Sequence, residues 1–159
     1  GGAEQVPETQ VGRRRKAEGG KQKAESGKQK AMAELLQGFR DLKVYQLAYR
    51  LAMEIFEVTK EFPKEERYSL TDQIRRSSRS VAANIAEAFR KRQYPNAFVS
   101  KLADADAEST ETQVWLDFAR DCGYLPVERR NELVAGYAEV GKMLGAMMKN
   151  PTRFAPSGS

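Results

Sequence analysis

The chain has 159 residues, with 27 Lys or Arg, 22 Asp or Glu, a single cysteine and no histidine. That length suffices for one domain with a real core plus a tail. The missing histidine removes the commonest general base, the Ser–His and Cys–His nucleophile pairs, and most zinc and di-iron sites. The lone Cys122 can close no internal disulfide, which fits a reducing, cytoplasmic setting.

The net charge of +5 is unevenly divided. Residues 1–38 carry eight Lys or Arg against five Glu, and residues 39–159 carry nineteen against seventeen Asp or Glu. The second part can bind a polyanion only through where its charges sit, not through their sum. No run of about eighteen apolar residues occurs, so no membrane span is expected. Nor is a secretory signal, since Arg13–Lys16 precedes a Gly/Lys/Gln tract and not an apolar one.

Residues 1–38 read as a disordered, basic, low-complexity tail. A seven-residue unit nearly repeats from Lys16 and again from Lys23, but no apolar seam occupies it, so it is no coiled coil. Gly and Lys without bulky residues cannot repay the entropy of ordering. A solvated tail and a basic arm for nucleic acid both fit. The first Met is Met32, and the domain is expected to begin near it.

The first helix is expected from Asp41, as N-cap, to about Glu61. Val44, Leu47, Leu51, Ile55, Val58 and Phe62 recur there at three- and four-residue steps. Phe62-Pro63 ends it, because proline disfavours a helical residue before it. Lys64–Arg67 is a short connection, and Ser69 or Thr71 is expected to cap the next helix. The second helix, Leu70–Arg92, carries an apolar face of Leu70, Ile74, Val81, Ile85 and Phe89. A third runs from about Asn96 to Asp121 and stops at Gly123. A fourth runs from Pro126 or Val127 to about Asn150, with Leu133, Tyr137, Val140, Leu144 and Met147 as its seam. Residues 151–159 are expected to fray. The fold class is therefore all-α, an antiparallel up-down-up-down four-helix bundle over residues 39–150.

Beside the apolar face of the second helix runs a polar stripe, Gln73, Ser77, Ser80, Asn84 and Glu87. The third helix offers Glu108, Glu111, Gln113 and, beside its seam, Trp115. Buried polar groups need partners. Three readings fit: helix pairing that sets register, a face toward a neighbouring subunit, or a carboxylate site of Glu87, Glu108 and Glu111. Glu108-x-x-Glu111 has the spacing of carboxylate-bridged metal bundles, but no histidine completes it. Trp115 suits an inter-helix filler or an interface anchor equally. Cys122, at a helix C-terminus, is expected to be buried and inert.

A basic face carries Arg75, Arg76 and Arg79, then Arg90, Lys91 and Arg92. The first three fall within about 6 Å of helix rise. A solvated charged face is the plain reading; tracking a phosphate backbone is the functional one.

The run Gln73-Ile74-Arg75-Arg76-Ser77, with Ser80-Val81 and Asn84-Ile85-Ala86-Glu87, resembles the four-helix bundle family of the 23S rRNA intervening-sequence proteins. Phe39-Arg40-Asp41-Leu42, Phe62-Pro63, Glu111-Thr112-Gln113 and Cys122-Gly123-Tyr124-Leu125 extend the resemblance over about residues 39–148. Ala88 departs from it, since glycine usually follows Asn-Ile-Ala-Glu, and the third helix is unusually acidic. The resemblance implies a homo-oligomer, commonly a ring of five, and no enzyme activity. A distant relative is the accessory protein of diversity-generating retroelements, which works with nucleic acid.

The expected protein is non-enzymatic and needs neither cofactor nor metal. Its expected partners are further copies of itself, RNA or DNA, and a protein of unspecified identity. An assembly scaffold, with the same arginines in inter-subunit salt bridges, is the competing expectation.

Overall fold

The computed structural model describes residues 36–156 together with Gly20. Four helices carry the fold: α1 (Lys43–Thr59), α2 (Leu70–Arg90), α3 (Pro95–Asp121) and α4 (Val127–Lys149). Single 3-10 turns flank them at Phe39–Asp41, Lys64–Glu66 and Pro151–Phe154, and no strand occurs among the described residues. None of these helices is long and apolar enough to cross a membrane.

The apolar spacing read from the sequence is the packing seen. Val44, Leu51 and Ile55 of α1 are buried, with Ile74, Val81 and Ile85 of α2. Phe98, Leu102 and Leu116 of α3, and Leu133, Tyr137, Val140 and Leu144 of α4, close the same core. Burying a side chain of this size contributes about 1.5–3 kcal/mol, so these positions fix which face each helix turns inward. Each helix packs on its neighbours in sequence, and α1 packs on α4.

Paired residues give the directions. Along α2 and α3, Ser77 meets Thr112 while Asn84 meets Lys101. Between α3 and α4, Asp117 meets Arg130, and a Cβ on Gly141 would touch Asp106. Between α1 and α4, Glu54 meets Arg129, and a Cβ on Gly136 would meet Leu51. In every pair one residue number rises as the other falls, so these neighbours are antiparallel and the order is up-down-up-down.

Several boundaries differ from those expected. Asp41 does not cap α1; its carboxylate accepts from the Gln37 and Gly38 N–H groups and closes the preceding 3-10 turn. Leu36 packs against the core, so the domain begins before residue 39. Neither Ser69 nor Thr71 caps α2 through its side chain; the Glu66 carboxylate accepts from the Leu70 N–H at 3.2 Å. Gly123 does end α3. Its φ of 79° is open to glycine, and it lets the Tyr124 N–H return to the Ala119 carbonyl at 2.9 Å. Residues 151–154 do not fray: Phe154 is buried against Phe98, ring centroids 5.7 Å apart. Cys122 is exposed, not buried, because it follows the last turn of α3 where no other helix covers it. The readings placed on residues 1–35 lie outside the described residues, Gly20 aside.

Candidate nucleic-acid interface

The outward stripe of α2 consists of Asp72, Arg76, Arg79, Ala83, Glu87 and Arg90, all exposed. Steps of three and four keep them on one side of the helix. The six candidate cations do not form a single patch on this surface. Their surroundings sort them into three kinds.

Arg75 is turned toward α1. Its Nε donates to the Thr59 hydroxyl at 2.8 Å, and its guanidinium lies 4.9 Å from the Phe56 ring centroid. Arg92 folds back on its own turn, donating to the Phe89 carbonyl at 3.1 Å over the Phe89 ring. Burial, and then the nearby Arg90 charge, lower its pKa.

Arg76 is held by acids of α3. Nη2 donates to both Glu111 oxygens, at 3.0 and 2.8 Å, and pairs with Glu108 at 3.5 Å without hydrogen-bond geometry. The Glu111 bond raises the Arg76 pKa. Burial, reinforced by the neighbouring Glu111 carboxyl, holds Glu108 above its ordinary range. Burial pushes Glu111 up too, but its bonds with Glu108 and Arg76 more than offset this and leave it lowered. Two acids against one guanidinium cancel the positive charge of Arg76 toward a passing polyanion.

Arg79, Arg90 and Lys91 are exposed, with no hydrogen-bond or ion-pair partner among the described residues. Arg79 stands in a surface groove of about 560 Å³. Arg67, Arg75, Arg76 and Arg79 line it, with Tyr68, Thr71 and Asp72; Ser80 and Ala83 close the far end. Arg90 and Lys91 lie outside it, about 16 Å further along α2 at 1.5 Å per residue.

The polar stripe divides as well. Ser77 is fully buried, and its hydroxyl sits 2.8 Å from that of Thr112. Ser77 also donates to the Ile74 carbonyl at 3.3 Å. This is the register-setting reading in its simplest form. Asn84 donates to the Ser80 carbonyl and accepts from Lys101, at 2.9 and 3.4 Å. Glu87 is exposed and pairs with Lys101 at 2.7 Å. Gln73, Ser80 and Gln113 are half-buried. The three carboxylates of the suggested metal site thus face two different cations: Glu87 faces Lys101, while Glu108 and Glu111 face Arg76. Among the described residues no group of acidic or sulfur ligands is placed to hold a metal. Trp115 lies 5.9 Å from Phe118, and its indole N–H nears Glu111 without a well-formed hydrogen bond.

Arg67, Tyr68 and Thr71 carry part of the groove yet were not among the sequence candidates. Lys64–Arg67 reads from sequence as a mere connection. The available signal was an Arg-Tyr pair directly before an arginine-rich helix.

The family profile of the 23S rRNA-intervening sequence protein matches residues 40–146. The chain belongs to this family. A solved structure of a protein of unknown function, from the S23 ribosomal protein family of Bacteroides thetaiotaomicron, is similar in sequence and shape. It is 29% identical with a TM-score of 0.61, and the match covers 67% of this chain and 96% of that one. A search of curated proteins returns no match.

Proposed function

We propose that this chain is a non-enzymatic helical bundle that works as a homo-oligomer and contacts RNA or DNA phosphates through α2. The observation that carries the reading is Arg79, an exposed and unpartnered guanidinium in a groove shared with three further arginines. Phosphate contact needs desolvatable cations not already spent on acids. Arg79 meets that condition, and Arg76 does not. Arg90 and Lys91 supply a second contact further along the helix. The family's description by an intervening sequence of 23S rRNA agrees with an RNA setting.

The oligomer has its own support. The outward stripe of α3, Ala103, Ala107, Thr110, Val114 and Phe118, is exposed and carries no charge. Phe118 is 53% exposed and Val114 44%. A second copy covering this stripe would remove the exposed Val114 and Phe118 side chains from water. The scaffold reading keeps this face and dispenses with nucleic acid. It loses one inter-subunit salt bridge, because Arg76 is satisfied within its own chain.

The test is binding of a structured RNA and a DNA duplex at low and moderate salt, with full-length wild type, Arg79→Ala and an Arg90→Ala/Lys91→Ala double variant. Every protein keeps the N-terminal segment, so its eight cations cancel in the comparison. Affinity should fall steeply with salt, and each lost cation should reduce the log–log slope by about one. Binding unchanged in all variants would leave the scaffold. For the oligomer, Phe118→Glu should lower the mass in light scattering with helix content kept; an unchanged mass would exclude this face.

A further inference from the structure

We infer that the Arg67–Ala83 groove is a site for one unpaired nucleotide, with a phosphodiester on its arginines and the base stacked on Tyr68. The preferred ligand is then single-stranded nucleic acid, and the inference rests on the phosphate-contact reading above.

Tyr68 is 85% exposed, the highest value among the large apolar side chains described. The Arg67 guanidinium carbon lies 5.5 Å from the Tyr68 ring centroid. The ring contributes nothing to the core, yet its backbone is firmly placed. The Glu66 carboxylate accepts from the Ser69 hydroxyl at 3.0 Å and from the Leu70 N–H at 3.2 Å, bracketing Tyr68 on its C-terminal side. The Tyr124 hydroxyl reaches the same carboxylate at 3.5 Å. An aromatic ring held out from a fixed turn pays little ordering entropy when something planar settles on it.

The rest of the groove suits a phosphodiester. Of its four guanidinium groups, Arg67 and Arg79 have no acidic partner among the described residues, while Arg76 pairs with Glu111 and Arg75 bonds Thr59; Asp72 is the one carboxylate in the lining. Thr71 is 7% exposed, and its hydroxyl has no hydrogen-bond partner among the described residues. A volume of about 560 Å³ lies within the usual range of small-ligand sites. It matches a nucleotide better than a duplex. A duplex hides its base faces in the stack, whereas a single strand offers them to aromatic rings, with phosphates following the basic groove. An acidic peptide would satisfy the arginines but leave Tyr68 without a planar partner.

The experiment is fluorescence anisotropy with the full chain and short pyrimidine single strands of RNA and of DNA, the matching duplex, and polyglutamate as competitor. Wild type is compared with Tyr68→Ala, Tyr68→Phe and Arg79→Ala; an exposed residue such as Tyr68 can be changed without loss of fold. Single strands should bind more tightly than the duplex. Tyr68→Ala should weaken single strands about 5- to 150-fold, the range for one stacked base, and leave the duplex unchanged. Tyr68→Phe should match wild type. If Arg79→Ala weakens every nucleic acid while Tyr68→Ala changes none, the nucleotide site is overturned and phosphate contact stands. If no nucleic acid binds, both readings fall. Displacement by polyglutamate as effective as by a single strand would overturn the nucleotide site in favour of an acidic peptide.

Discussion

Arg75 and Thr59 are joined by a 2.8 Å hydrogen bond from the guanidinium Nε to the hydroxyl, which ties the second turn of α2 to the last residue of α1. Thr59 in turn donates within α1, to the Ile55 carbonyl at 2.7 Å. Arg75 is therefore a structural residue first. Arg75→Ala should cost about 1.5–3 kcal/mol, the range for a hydrogen bond that involves a charged group. Arg79→Ala should stay within about 0.5 kcal/mol, as for an unpartnered surface residue. Thermal melts of the two variants check the contrast. Equal melting temperatures would show that the Arg75 bond adds nothing.

At Gly136, α4 passes close to α1. A Cβ there would lie 2.5 Å from Leu51 Cδ2 and 3.1 Å from Cδ1, and Leu51 is itself buried, 2% exposed. Gly136→Ala gains about 1 kcal/mol of helix propensity but meets an overpacking cost of about 1–3 kcal/mol. It should be destabilising on balance. Gly145, in the same helix, has nothing within 4 Å of its added Cβ. Gly145→Ala should stabilise by about 0.5–1 kcal/mol. Urea unfolding of both variants tests the opposite signs.

The Glu108 and Glu111 carboxyls pull the pH dependence in opposite directions. The folded pKa of Glu108 is raised, chiefly by burial. Its ionisation therefore costs stability as pH rises from the unfolded carboxylate value, about 4.3, through the higher folded one. Glu111 is lowered, so its contribution is present above that unfolded value and lost as pH falls through the folded one. Glu108→Gln removes the first effect, and its amide N–H keeps a donor for the Glu111 carboxylate. Relative to wild type, the variant should gain stability as pH rises through that interval, by less than about 1 kcal/mol at this partly exposed site. A difference that stays constant across that range would refute the assignment.

Tyr137 is wholly buried, and its hydroxyl has no hydrogen-bond partner among the described residues. Burial, and then the charge of Glu54, push its pKa upward. Tyr137→Phe deletes a polar atom that the fold leaves unsatisfied. Stability should be unchanged or higher by up to about 1 kcal/mol. A clear loss would reveal a partner for that hydroxyl.

The helices and their inner faces were legible because each apolar face repeats at helical spacing over four or more turns. Ile74, Val81 and Ile85 sit where that periodicity places them. Ser77 was legible for the same reason. Glu87 was not, since at 100° per residue it lies about 80° round the helix from Ser77 and emerges from the interface. The basic face misled in another way. Arg75, Arg76 and Arg79 look alike in sequence, yet Phe56 and Thr59 claim the first, Glu108 and Glu111 the second, and nothing claims the third. Those partners lie 16 to 35 residues away along the chain, beyond what local periodicity can report. The groove was hidden because its rim, Arg67 and Tyr68, comes from a connection with no repeat of its own.

The antiparallel order has a practical consequence for any assay of that groove. Phe39, on the turn that packs against α1 and α2, and Phe154, against Phe98 at the start of α3, mark the pole where both described ends of the chain emerge. Tyr68, just before the first residue of α2, lies at the other pole and Arg79 about midway along the helix, which spans about 30 Å at 1.5 Å per residue. A fluorophore, surface tether or fused reporter attached beside either of those ends is carried at the far side of the molecule. Immobilised protein then presents Arg67 and Tyr68 outward, while Arg90 and Lys91 stay on the attachment side.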